Sequence, residues 1–151
     1  MDLKISKSFN HQAIATLYKN KHDLKLAFPS AKYPVDMKDW QTWIEKTESE
    51  NFSLLWGDKD GFISHLAIKS FRKRPGIVYL CFFIISEEFR GKGLSSKILD
   101  DAYRFVREEL GKNELWLVVD PKNKKAFNIY LNEGFKIIDE REAGLRMMKQ
   151  L

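Results

Sequence analysis

The chain is poor in the residues that cross-link or metallate a fold. One cysteine, Cys81, stands among 151 residues, so an internal disulfide is excluded and no thiolate framework for a metal exists. Cys81 sits in the run IVYLCFFII (77–85), where a buried, inert thiol is the ordinary reading. That run is the longest apolar stretch and is far shorter than the roughly 20 residues a membrane-crossing helix needs. The start, MDLKISKSFN, carries no apolar leader, so a cytoplasmic protein without a membrane partner is expected. Repeats, low-complexity tracts and Gly/Ser linkers are absent, which points to a single domain over residues 1–151. Lys and Arg outnumber Asp and Glu by 26 to 21, a net charge of +5. Without a long basic run or a basic-aromatic stripe, that excess suits an anionic small ligand or plain solubility better than nucleic acid.

What is present is a regular alternation of strands and helices. LKISKSF (3–9) alternates apolar and polar residues and reads as a strand. Asn10 is placed to cap a helix over about 11–20, and Met37, Trp40 and Ile44 recur at helical spacing in a second. FSLLWG and FISHLAIKSF flank the turn DKDG as a hairpin, RKRPG is the next turn, and the apolar strand 77–85 follows. Residues 94–110 carry the apolar stripe Leu94, Ile98, Leu99, Ala102, Phe105, Val106 and Leu110 of a long helix. Strand 114–120, a helix ending at Gly134 and an antiparallel pair, FKIIDERE and LRMMKQ, complete the order β-α-α-β-β-β-α-β-α-β-β. The expected architecture is a mixed, mostly antiparallel, twisted α/β (α+β) sheet of about seven strands with helices on both faces.

The corner EEFRGKGLSS (87–96) joins the central strand to the long helix. Helix starts leave N–H groups unpaired and carry partial positive charge. Gly91 and Gly93 can turn successive amides into one concave nest, and Arg90, Lys92 and Lys97 surround it. The spacing is neither a GxxxxGK[ST] loop nor a dinucleotide fingerprint. It reads as an anion cradle or as an ordinary turn.

Residues 90–95, R-G-K-G-L-S, resemble the Arg/Gln-x-x-Gly-x-Gly/Ala acetyl-coenzyme A motif of the GCN5-related N-acetyltransferases. LWLVVDPKNKKAFNIYLNEGF (115–135) resembles that family's second block, with Asn123, Ala126, Tyr130, Gly134 and Phe135 at the matching offsets. The resemblance covers residues 50–151 well and the first third by element order. It implies acetyl-coenzyme A as cosubstrate, an amine acceptor and no metal, and it is compatible with a homodimer. Main-chain groups at Phe83 and Ile85 would pair with the pantetheine arm. The pyrophosphate would rest on the amides of Arg90, Gly91, Lys92, Gly93, Leu94 and Ser95. Asn123 would touch the cofactor arm, and Tyr130 would protonate the leaving thiolate, a task that suits a phenol. The other reading of Tyr130 is a core tyrosine sharing a helix face with Phe127 and Leu131.

The sequence departs from the pattern at Ser95, in place of Gly or Ala, and at Glu87, where proline is common. Val118 stands where members acting on protein N-termini carry a glutamate, and the strand 77–85 has no acid. Asp120 either holds a cationic amine or, the preferred reading, caps the helix after Pro121. Glu87, Glu88, His65 and a water chain are the other routes for the amine proton. Phe28, Tyr33, Trp40 and Trp43 are the aromatic candidates for the acceptor side, and Asp36, Asp39, Glu45, Glu48 and Glu50 the acidic ones. A small-molecule amine is preferred over a protein or peptide amine. The alternative is a non-catalytic acyl-coenzyme A-binding regulatory module.

Overall fold

The computed structural model describes residues 1–151. The elements are β1 (Asp2–Ser6), α1 (His11–Leu17), α2 (Lys21–Ala27), α3 (Met37–Ile44), β2 (Ser49–Asp58), β3 (Gly61–Phe71) and β4 (Val78–Ile85). A 3-10 turn (Glu87–Phe89) leads to α4 (Leu94–Arg104), extended by a π-type turn (Phe105–Glu109), then β5 (Glu114–Val119), α5 (Lys124–Asn132), β6 (Lys136–Arg141) and β7 (Gly144–Gln150). One seven-stranded sheet runs β1-β2-β3-β4-β5-β7-β6. Every pair is antiparallel except β4–β5. The mixed α/β sheet read from the sequence is therefore the observed one, with β7 threaded between β5 and the edge strand β6. No helix is long and apolar enough to cross a membrane.

The first third differs from expectation. The anticipated helix over 11–20 ends at Leu17, and α2 follows it as a separate element. Asn20 makes that break, because its side-chain oxygen takes the Asp23 N–H at 2.8 Å and caps a new helix start. Only Leu24 of α2 is buried, so the segment has no apolar stripe to betray it.

Strand alternation sorts the apolar side chains onto two faces. Leu54, Trp56, Leu66, Ile68 and Leu80 pack with Ile98, Leu99 and Ala102 of α4. Leu55 and Ile84 point the other way, into a smaller cluster with α1, α2 and α3. Trp40 is its centre, fully buried, with the rings of Phe9, Tyr18, Phe28 and Phe82 at 5.0–5.4 Å.

The sheet is not continuous. β4 and β5 share one registered pair, Tyr79 with Trp116, and beyond it they separate. The pairing of β4 with β3 shifts between His65 and Ala67, and Phe82 takes a left-handed φ of 56° at that bulge.

Trp40→Ala should lower the unfolding free energy by about 3–5 kcal/mol, the usual cost of emptying a buried aromatic site. Urea unfolding measures it, and a loss below about 1 kcal/mol would mean the α1–α3 layer does not depend on this ring.

Candidate active site

The parted strands leave a cleft of about 530 Å³ with a mainly apolar lining. β4 supplies one wall from Tyr79 to Ile85, β5 the other from Leu117 to Val119, and α5 closes the back with Ala126, Ile129 and Tyr130. Of the residues read from the sequence, Phe83, Ile85, Arg90, Gly91, Gly93, Leu94, Ser95, Asp120, Asn123 and Tyr130 all line it. Lys92 does not; its ammonium sits 5.5 Å from the centre of the Phe89 ring.

At one end lies the glycine turn. Gly91 and Gly93 have φ of 72° and 73°, and a Cβ at either would meet nothing within 4 Å. Backbone angle, not space, is why glycine is needed there. Gly93 is the α4 N-cap and offers no side-chain acceptor, and the amides of Gly91 to Ser95 find no partner in the surrounding loops. The result is a row of free N–H groups at the start of a helix, a fit for phosphate oxygens.

Arg90 behaves differently from a free cation. Its Nε donates to the Ile85 carbonyl at 2.8 Å and its Nη2 to Asp23 at 2.9 Å. The guanidinium thus ties the end of β4 to the first turn of α2. Asp23 also lines the cleft, and nothing in the sequence signalled it, because its partner lies 67 residues away.

Tyr130 is 7% exposed, and no protein group takes or supplies a hydrogen bond at its hydroxyl. Burial first, then the neighbouring Cys81 thiol, pushes its pKa above the ordinary phenol value. Cys81 is half-buried on the opposite wall, and burial pushes its thiol up to about 12, with Lys69 pulling weakly the other way. Tyr18 donates to the Phe82 carbonyl at 3.2 Å and so holds the bulge from the α1 side.

The expected cap after Pro121 is corrected. Helix α5 starts at Lys124, and Asn123 is its cap, accepting from Ala126 N–H at 3.3 Å. Asp120 instead accepts from Lys122 N–H at 2.9 Å, makes no ion pair, and stays exposed at the cleft edge. Glu88 is engaged by Lys19 and by Ser86 Oγ, with Lys19 the larger cause of its lowered pKa. Neither it nor Glu87 lines the cleft. His65 is core: 1% exposed, Nε2 at 2.9 Å from Ser53 Oγ, and packed against Phe9 and Trp40. Its Nδ1 has no hydrogen-bond partner, and the Phe82 backbone beside it offsets little of the burial cost.

Three comparisons bear on this geometry. The acetyltransferase (GNAT) family model matches residues 17–135. Spermidine N(1)-acetyltransferase of Escherichia coli K12 is 32% identical over 84 residues, 56% of this chain and 43% of that protein, so the match spans less than half of the relative. Among solved structures, the GNAT domain of S. lividans PAT superposes with a TM-score of 0.82 at 14% identity, covering 99% of this chain and 89% of that one. Vibrio cholerae spermidine N-acetyltransferase, in complex with CoA and spermine, gives 0.71 at 17% identity over 98% and 95%. At such identities these two establish the fold alone.

His65 makes stability depend on pH. Burial pushes its pKa from 6.5 down to about 3, so the unfolded chain takes a proton that the folded one refuses. Its contribution is complete above about pH 6.5 and is lost as pH falls toward 3, at up to ~1.4 kcal/mol per unit. Urea unfolding at pH 7 and pH 5 should differ by roughly 2 kcal/mol, and His65→Gln should remove most of that difference. His11 and His22 are exposed. Equal pH slopes in the two proteins would show that His65 does not carry the effect.

Proposed function

Because this chain belongs to the acetyltransferase (GNAT) family, we propose that it moves an acetyl group from acetyl-coenzyme A to a primary amine of a small molecule, by direct attack with both substrates bound. The observation that carries this reading is the split between β4 and β5, with unpaired amides at one end and the unpaired Tyr130 hydroxyl in its wall.

The residues divide the work. Amides of Gly91 to Ser95 would receive the pyrophosphate, the Arg90 N–H being held by the Glu87 carbonyl, with Lys125 at the cleft edge adding positive charge. Main-chain groups of Phe83 and Ile85, past the point where β4 loses β5, would pair with the pantetheine arm as an added strand. The free amide of Asn123, whose oxygen is spent on the α5 cap, would donate to the same arm. Asp120 would hold the cationic amine, which must lose its proton to water before it attacks.

Attack forms the N–C bond at the thioester carbonyl, collapse breaks C–S, and the sulfur leaves with an electron pair that takes a proton. Tyr130 would supply that proton. Its raised pKa keeps it protonated at neutral pH but also makes it a weak acid. The sulfur it serves would lie in the same apolar wedge as Cys81, whose thiol is raised to about 12. A thiolate formed there is far more basic than in water, so donor and acceptor are brought closer in proton affinity than their solution values indicate.

A second reading, a non-catalytic acyl-coenzyme A-binding module, is favoured by one fact: the cleft holds no histidine, and its only carboxylate free of an ion pair is Asp120. Turnover decides between them. Tyr130→Phe should lower kcat about 100-fold while leaving acetyl-coenzyme A affinity within twofold by calorimetry. An unchanged kcat would remove Tyr130 from the reaction. Gly93→Asp should weaken acetyl-coenzyme A binding at least about tenfold, because it combines a strained φ with like-charge repulsion of the phosphates. Unaltered affinity in that variant would place the cosubstrate elsewhere.

A further inference from the structure

We infer that the acceptor carries its amine on an apolar, aliphatic body that lies between Leu26 of α2 and Val118 of β5. This rests on the acetyl-transfer reading above and narrows its substrate class.

The cleft opens on both faces of the sheet. In its lining, Ile85, Ala126 and Tyr130 pack with the α4 cluster, whereas Ala27, Phe82 and Ile84 pack with α1–α3. The glycine turn starts α4, and Tyr130 belongs to the cluster of that helix. The phosphates and the leaving sulfur would therefore occupy the α4 side. The opening on the α1–α3 side is left for the amine.

Two rims bound that opening. On α2, Asp23, Leu26 and Ala27 stand at i, i+3 and i+4 and share the helix face that lines the cleft. On β5, Leu117 and Val119 belong to the α4 cluster, so Val118 between them faces the other way. Leu26 and Val118 are each 39% exposed, and of the exposed large apolar side chains only these two line the cleft. Single apolar residues are ordinary on a surface. Two that border one opening offer contact area that a ligand in the opening covers.

Polar groups on this side are already engaged. Asp23 is held by Arg90 and Asn20, and the Tyr79 hydroxyl is bonded to Arg146. The Phe82 carbonyl accepts from Tyr18 at 3.2 Å, and the Ile84 carbonyl accepts from Ser64 at 2.7 Å. Cys81 offers a thiol, a weak hydrogen-bonding group. Ser95 and Asn123 also line the cleft, but at the glycine turn and the start of α5. One oxygen of Asp120 stays free after Lys122 N–H takes the other, and the ammonium uses it. A hydroxyl or amide on the acceptor's body would give up its water without gaining a side-chain partner. A methylene there gains by leaving water.

The test is steady-state acetylation of n-pentylamine and of 4-aminobutanol by the full chain, with acetyl-coenzyme A affinity measured by calorimetry in parallel. The two amines match in length and each carries one ammonium, so they differ in whether the far end is a methyl or a hydroxyl. The kcat/KM for n-pentylamine should be the higher by at least about fivefold. Leu26→Asn and Val118→Thr should each shrink that ratio severalfold, mainly through KM for n-pentylamine, with acetyl-coenzyme A affinity within about twofold of the parent. Both side chains are exposed, so neither change empties the core. A smaller ratio, or one that both variants leave unchanged, overturns the inference while leaving acetyl transfer standing. Acetyl-coenzyme A binding with turnover of neither amine also overturns it. No acetyl-coenzyme A binding overturns the acetyl-transfer reading itself, and this inference with it.

Discussion

Beyond Tyr79 and Trp116 the two central strands cannot stay paired, and the rest of the site depends on that separation. A continuous sheet would bury every main-chain group of Phe83 and Ile85 in ladder hydrogen bonds and leave no slot. The bulge at Phe82 bends β4 away from β5, at a backbone cost of about 1–3 kcal/mol for a bulky residue with positive φ. That strain persists only because the surroundings fix it. The Phe82 ring stacks on Phe28 at 4.6 Å and meets Trp40 and Trp43, while its carbonyl accepts from Tyr18. The aromatic cluster of the first third is therefore a clamp on the bulge.

The same logic explains the ionic tie at the other end of the slot. Arg90 belongs by sequence to the glycine turn, yet its guanidinium faces the protein and joins the Ile85 carbonyl to Asp23. Both partners are more than two-thirds buried, so the pair is less screened than a surface bridge, and losing one partner would strand the other. Through it the position of α2 and the position of the amide nest are set together. The turn's backbone is free for a ligand because its arginine is occupied elsewhere.

How much of this was legible in the sequence follows from the range of each interaction. The two blocks around Gly91–Ser95 and Asn123–Phe135 were readable because local spacing fixes local backbone: glycines where φ is positive, and a cap three residues before its N–H partner. The strands were readable from alternation. Helix α2 was not, since one buried leucine in seven residues makes no pattern. The tie from Asp23 to Arg90 and the hold of Tyr18 on Phe82 were invisible for another reason: they join residues more than sixty positions apart, and neither partner's neighbours announce it. The role of Asp120 was half readable, because an Asp-Pro-Lys-Asn run signals a turn without saying whether Asp120 or Asn123 closes the helix.

The acidic residues between 36 and 50 show why composition misleads about a cationic ligand. Five carboxylates in fifteen residues look like a binding surface for an amine, and the sequence offered them as such. Glu48 and Glu50 are held in ion pairs, Asp36, Asp39 and Glu45 take hydrogen bonds from a helix start, a backbone N–H and a glutamine, and none of the five lines the cleft. A carboxylate already in an ion pair gives a new cation little, since displacing its partner costs about what the new contact returns. What counts for recognition is unspent charge facing the cleft, and on the acidic side that is Asp120. One such charge can orient an amine but cannot by itself select it, so selectivity has to come from the apolar walls. Those walls follow from the parting of β4 and β5, because the separation turns apolar side chains of both strands into the lining of one cleft.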